Sequence, residues 1–298
     1  MNSIISYPDR GPWGDSKWRG NCSGHVIRDL INQLNPQTFV DCMVGSGTSV
    51  QVATEMGITA HGLDLHSGFN AVNDSILNRV GHQSDLVFSH PPYLDIIIYA
   101  DAVWKGATQE QLDADLSRCR SDAEFHEKMQ AVLLNQRDAT KPGQHYATLI
   151  GDIRQNGRYV SAQAEMIARM PSDELAAVII KAQHNCVSDS RTYAKMTYPR
   201  IQHEYLLLWK KKSLPLIVLL GKMAREQAER VKSTWKSVVN LVLQRLGGKA
   251  ELKEIYSEVA RAAPEKIAQN PSWHAKVRQV LNSTDRFMSN ERGIWQFA

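Results

Sequence analysis

A chain of 298 residues has room for one large α/β domain of about 200 residues and a smaller second module. With 43% apolar and 22% charged residues, and no apolar run near the roughly 18 needed to cross a bilayer, the composition is that of a soluble globular protein and excludes a membrane class. The beginning of the chain lacks a basic region followed by an apolar core, and Cys22, Cys42, Cys119 and Cys186 show no CxxC spacing. Reduced thiols, a cytoplasmic location and no metal site are therefore expected. Charge is uneven: of 35 Lys/Arg and 31 Asp/Glu, 17 and 8 lie from Lys210 onward, leaving 18 and 23 before it. A basic tail on a mildly acidic body points to a polyanionic partner for the tail, or else to a solvated basic face.

Taken in order, Tyr7 to Asn21 is rich in Gly, Pro, Trp and Arg without a period and reads as an ordered irregular segment with Trp13 and Trp18 packed. A helix is predicted from Gly24 to Leu34, ended by Pro36, then a buried strand over Thr38–Cys42 that leads into Gly45-Ser46-Gly47-Thr48. A helix over Thr48–Met56 and a strand over Thr59–Leu63 ending at Asp64 complete a nucleotide-binding βαβ unit. Its glycines let the backbone approach a ligand, and a carboxylate at the second strand end can take both ribose hydroxyls. Asp74, in Asn73-Asp74-Ser75, is either a second ligand-reading acid or a helix cap. The apolar run Asp85–Phe88 is a strand ending at Ser89-His90-Pro91-Pro92-Tyr93. Consecutive prolines fix φ and lack N–H groups, so the His90 and Pro91 carbonyls become stiff acceptors, while Tyr93 offers a flat π-face. Together they describe a clamp for a planar amine.

Past Tyr93, Leu94 to Ser121 has no clear period and reads as a mobile segment over the site, with Asp95 either catalytic or a cap. A helix over 122–140 and a strand over 145–150 follow, ending in Gly151-Asp152-Ile153-Arg154, where Asp152 sits at the active edge of the sheet or pairs with Arg154. A helix over 161–170 and strands over 175–182 and 204–209 finish the sheet. Between them, Ser188 to Arg200 interleaves Arg191, Lys195 and Arg200 with Tyr193 and Tyr198, suited to phosphates and unstacked bases or to an ordinary hairpin. Leu214 to Leu220 opens a connecting helix to about Lys232, whose apolar start docks on the large domain or on a second copy, as a homodimer. From Thr234, a helix to Leu246, one over 252–262, one opened by Asn270-Pro271 and a terminal hairpin resemble a winged helix-turn-helix. In that arrangement Trp273 is core, and Lys276, Arg278 and Gln279 are candidate DNA contacts, unless the module is a winged helix that binds protein.

The motif at residues 90–93 resembles that of the DNA amino-methyltransferases, whose signature is Asp, Asn or Ser followed by Pro-Pro-Tyr; here His90 holds the first place. Asp41 with Gly45-Ser46-Gly47-Thr48-Ser49 looks like the family's S-adenosylmethionine loop, with Cys42-Met43 in place of the usual Pro-Phe. The resemblance implies that Asp41 and the backbone of Gly45, Ser46, Gly47 and Thr48 hold the methionine part, with Asn21 as a further contact. It also implies that Asp64 binds ribose, that Asp74 reads the adenine amine and that Ser89 completes the cofactor site. His90, Pro91, Pro92 and Tyr93 are then catalytic. With the glycine loop preceding Pro-Pro-Tyr by some forty residues, the order is similar to the subgroup that recognises DNA through its C-terminal part.

The expectations are an α/β protein with a Rossmann-like methyltransferase sheet, helices on both faces, and a small C-terminal winged helix-turn-helix. Residues 1–210 form the methyltransferase domain, 211–233 the connecting helix and 234–298 the DNA-binding domain. The implied function is transfer of a methyl group from S-adenosylmethionine to adenine N6 in DNA, by base flipping and direct displacement. Alternatives are the N4 amine of cytosine, a DNA-binding pseudoenzyme marked by His90, or a protein-glutamine methyltransferase, against which the basic tail argues. A prokaryotic, plasmid or phage setting, as in restriction-modification, is implied. His90 can replace an oxygen acceptor only through a neutral ring nitrogen.

Overall fold

The computed structural model describes residues 1–155, 157–184, 198–283 and 286–298. They form two compact units, Met1–Leu216 and Ile217–Ala298.

The first unit begins with β1 (Ile4–Ser6), α1 (Gly24–Leu34), β2 (Thr38–Asp41), α2 (Thr48–Glu55) and β3 (Thr59–Gly62). It continues through α3 (Ile76–Val80), β4 (Ser84–Ser89), α4 (Gln109–Ala114), α5 (Asp122–Ala139) and β5 (Thr140–Ile150). The hairpin β6 (Ile153–Gln155) and β7 (Arg158–Val160), then α6 (Ala162–Ala168), β8 (Leu175–Ala182) and β9 (His203–Lys210), complete it. Among the described residues, seven strands make one sheet in the order β1-β8-β9-β5-β4-β2-β3, in which only β9 runs against its neighbours.

Alternation along the strands explains why helices cover both faces. Val40, Val87, Tyr146 and Trp209 point to one core with Phe125, Met129 and Leu133 of α5 and Met166 of α6. Phe39, Phe88, Leu149 and Leu208 point to the other, with Val26, Ile27, Leu30 and Ile31 of α1 and Val52 of α2. This is the doubly wound, Rossmann-like α/β fold that the sequence leads one to expect. A buried ion pair ties the end of α5 to the loop before β8. The Arg137 guanidinium grips Glu174 at 2.6 and 2.8 Å, and Tyr146 Oη donates to the same carboxylate at 2.9 Å.

Several boundaries differ from expectation. β5 starts at Thr140 rather than at residue 145, because the register shift between Ser84 and Leu86 of β4 absorbs Pro142 and Gly143. β1 and the β6–β7 hairpin are too short to carry a periodic signal. The second unit opens with a continuous helix, α7 (Leu216–Arg245), where two helices parted near residue 233 are expected. No Gly or Pro lies between Lys222 and Arg245 to break it. The strand β10 (Lys249–Glu251) then precedes α8 (Leu252–Ala262), α9 (Pro264–Ala268), α10 (Trp273–Ser283) and the hairpin of β11 (Phe287–Glu291) and β12 (Ile294–Phe297). The strands form an antiparallel sheet, β10-β12-β11, over a core of Trp235, Val239, Ile255, Val277, Val280 and Phe287. No helix among the described residues is long and apolar enough to cross a membrane.

Candidate active site

Register brings the candidate residues together. Asp41 at the end of β2 pairs with Gly62 of β3 on one side and Phe88 of β4 on the other, so the chain leaves all three parallel strands at the same edge. The glycine loop, Asp64 and His90 follow directly, around a solvent-open cleft of about 860 Å³. Ligand sites in open parallel sheets lie at such an edge. Asn21, Asp41, Gly45, Ser46, Thr48, Asp64, His90 and Pro92 all line the cleft, as do Trp18, Asn70, Tyr99, Trp104 and Asp115.

On the glycine-loop side, Asp41 is almost sealed from solvent. Its carboxylate accepts from Met43 N at 2.9 Å and from the Ser49 hydroxyl. Burial pushes its pKa up to about 7; the Ser49 and Met43 hydrogen bonds oppose that rise, and the Asp64 charge adds to it. Gly45 has φ +50°, and a Cβ there would stand 3.0 Å from Trp18 Nε1. Its N–H donates to Asp64 Oδ2 at 2.8 Å, while Asp64 Oδ1 holds His66 through its N–H (3.1 Å) and Nδ1 (2.7 Å). That hydrogen bond holds the His66 ring above its usual pKa. Asn21 Oδ1 accepts from Thr48 Oγ1 at 2.5 Å, which pins the irregular segment to α2. Ser46 Oγ is buried without a hydrogen-bond partner among the described residues.

Three expected cofactor residues are not among those that line the cleft. Asp74 is outside the cleft lining, because its carboxylate turns back to accept from Asn70 N at 2.8 Å; Asn70 itself faces the cleft. Ser89 is fully buried within the sheet, bonded to Thr148 Oγ1 at 2.9 Å and to Gln136. Gly47, with φ +88°, starts α2 and does not line the cleft.

On the Pro-Pro side, Pro91 is buried while His90 and Pro92 face the cleft. Tyr93, expected as a stacking platform, is not among the residues that line the cleft. Its ring lies against Gly151, where a Cβ would come within 2.6 Å of Cε2, and its hydroxyl donates to Glu204 Oε1 at 2.8 Å. His90 Nε2 lies 2.9 Å from the same hydroxyl. Glu204 also receives Lys181 Nζ and Gln183 Nε2, each at 2.6 Å. Sequence reasoning missed Glu204 and Lys181, although a charge inside an otherwise apolar strand is itself a signal of a buried pair.

The segment over 94–121 contains α4 and hydrogen-bonded turns. Asp115 ties it down by accepting from Ala100 N and Ser117 N, each at 2.8 Å. Through Tyr99, Trp104, Asp115 and Leu116 it supplies part of the cleft wall. The Trp18 and Trp104 indoles are parallel to within 5°, with centroids 6.5 Å apart. Asp95 is exposed and accepts from Gln155. Asp152 does not pair with Arg154; it accepts from Tyr159 Oη, Ser161 Oγ and Gln163 N at the start of α6, and Arg154 stacks on Tyr159 and Tyr198. Arg191 and Lys195 lie outside the described residues. In the second unit Arg278 and Gln279 are exposed on α10, and Lys276 donates to Gln279 at 2.9 Å.

No protein-family model matches the chain, and no curated protein does. Among solved structures, the chain is similar to TrmN from Thermus thermophilus at 14% identity and a TM-score of 0.39, over 65% of this chain and 50% of that one. It is similar to an rRNA methylase from Streptococcus thermophilus at 12% identity and a TM-score of 0.34, over 63% and 96% of the two chains. A provisionally described DNA modification methylase, also from Thermus thermophilus, shares 18% identity at a TM-score of 0.28, over 60% and 53%. The chain thus spans about half the length of the first and third of these proteins. At such levels the chemistry of the site rests on its own residues.

Proposed function

We propose that the chain is an S-adenosylmethionine-dependent methyltransferase acting on the exocyclic N6 amine of adenine in DNA. One observation carries this reading: the glycine loop with its two carboxylates and the His90-Pro91-Pro92 turn open into a single cleft. The donor set fits the cofactor. Ser46 Oγ is a buried polar atom with no partner among the described residues, Gly45 keeps the backbone clear where a side chain would crowd Trp18, and Asp41 is a buried carboxyl suited to an ammonium group. Asp41, Ser46 and the loop backbone would hold the methionine part, Asp64 the ribose, and the Asn70–Val72 wall the adenine. When bound, S-adenosylmethionine supplies a methyl group activated on a sulfonium. The chain's own task is to orient the amine. A nucleobase amine is a poor nucleophile because its lone pair is delocalised, so acceptors on its hydrogens favour a more tetrahedral nitrogen. The Pro91 carbonyl and a neutral nitrogen of His90 are the acceptors.

DNA as the substrate is supported by the second unit, in which residues 217–298 carry 14 Lys/Arg against 8 Asp/Glu. Its helices and terminal hairpin read as a winged helix, with α10 presenting Lys276, Arg278 and Gln279 to a groove. The test is mass spectrometry of nucleosides from DNA of cells expressing the protein. N6-methyladenine is expected; N4-methylcytosine would move the target to cytosine. Neither base, from a protein that binds the cofactor, would overturn the reading.

A further inference from the structure

A line of polar side chains runs behind the cleft wall. Lys181 of β8 and Glu204 of β9 are direct cross-strand partners, 9% and 7% exposed, with Nζ donating to Oε2 at 2.6 Å. The other carboxylate oxygen, Oε1, accepts from Gln183 Nε2 at 2.6 Å and from Tyr93 Oη at 2.8 Å. Burial works against the Glu204 charge, but Lys181 and the neighbouring donors keep the carboxyl below its usual pKa.

A phenol has one proton, and Tyr93 gives it to a carboxylate that cannot donate in return. Reversing that bond would set the phenol lone pairs against an anion at 2.8 Å. Toward His90, 2.9 Å away, Tyr93 Oη can therefore only accept, so the ring must carry its proton on Nε2. In a neutral ring Nδ1 is then a bare acceptor. Among the described residues Nδ1 has no hydrogen-bond partner, and it is not sealed from solvent; His90 lines the cleft, whereas Tyr93 does not.

We propose that Lys181, Glu204 and Tyr93 are positioning residues that lock His90 in the Nε2–H tautomer, so that Nδ1 is held ready to accept a hydrogen bond from an amine in the cleft. An Asn, Asp or Ser at this place presents an oxygen acceptor whatever its surroundings. A histidine presents one in only one of two tautomers, and the buried line behind it makes that choice. The charge state agrees. Burial, aided by the Lys181 charge and opposed by Glu204, brings the His90 pKa down to about 4. The other ionisable groups beside this line, Cys22 and Tyr99, are both held above their usual pKa and stay uncharged at neutral pH. The identity of the amine rests on the function proposed above; the tautomer does not.

The test is nitrogen NMR on the full-length protein with 15N-labelled histidine, the His90 signals being identified by their loss in His90→Asn. Wild type should show a single neutral Nε2–H ring at neutral pH. Tyr93→Phe, which keeps the aromatic ring on Gly151, should lose that single-tautomer signature. Glu204→Gln, which lets the Tyr93 hydroxyl turn round, should lose it too. An Nδ1–H ring or an imidazolium in the wild type at neutral pH would overturn the proposal. So would an unchanged signature in both variants. Methyl transfer plays no part in this readout. A protein that keeps the lock but modifies no DNA sinks the assigned function alone, and an active enzyme with Nδ1–H sinks the lock alone.

Discussion

A carboxyl group walled off at the end of β2 titrates where carboxylates ordinarily do not. With burial as the main cause and a pKa near 7 in the free protein, Asp41 is largely neutral below that pH and ionised above it. An ammonium-bearing ligand prefers the ionised form, so affinity for S-adenosylmethionine should rise with pH through about 7, by up to roughly tenfold per unit below it. Calorimetric titration across pH checks this, and Asp41→Asn, which can still accept from Met43 N, should give weaker and pH-flat binding. Asp64→Ala should weaken the same binding by about 1.5–3 kcal/mol, through loss of a charged acceptor for the ribose. The measured loss also includes release of Gly45 N and His66, which Asp64 anchors in the free protein. Unchanged affinity would remove Asp64 from the site.

Where β5 ends, the absence of a side chain at Gly151 makes room for the Tyr93 ring. A methyl group there would press on an aromatic ring whose hydroxyl is tethered to Glu204, so neither partner can give way cheaply. Gly151→Ala should destabilise the fold by about 1–3 kcal/mol, measured by denaturant unfolding, and should disturb the His90 ring from a distance. The elements that frame the cleft were legible because each carries its own local signal. α1 has a wide apolar face and a Pro shortly after its end, β2 and β4 are short apolar runs, and the glycine loop and Pro-Pro turn are punctuation that few other structures need. What stayed hidden depends on partners remote in sequence. The acid that holds Tyr93 lies 111 residues away from it, and the cation that holds the acid pairs across a strand register no periodicity encodes. Asp74, expected as a ligand-reading acid or a cap, has a local role in this structure: its carboxylate accepts from a backbone N–H four residues back.

At the scale of the molecule, two compact units of opposite charge balance divide the proposed work, and salt should separate their contributions. Replacing Lys276 and Arg278 together by Gln in the full chain should lower the slope of log affinity for duplex DNA against log salt by about 0.9 for each phosphate no longer neutralised. Cofactor affinity should stay as it was. An unaltered slope from fluorescence anisotropy would take α10 off the DNA. The large sheet carries a different liability at its far end. β1 is only three residues long, yet it lies along β8, Ile4 beside Ile180, with Ile180 N donating to Ser3 O at 2.8 Å. It works as a selvedge. Trimming residues 1–6 would leave the cleft untouched in composition but would bare the hydrogen-bonding groups of an eight-residue strand on which Val178 and Ile180 already show. Such a border invites a second copy to stitch on. Sedimentation of the trimmed protein should therefore show more concentration-dependent self-association than the full chain, and cells expressing it should yield a larger share in inclusion bodies.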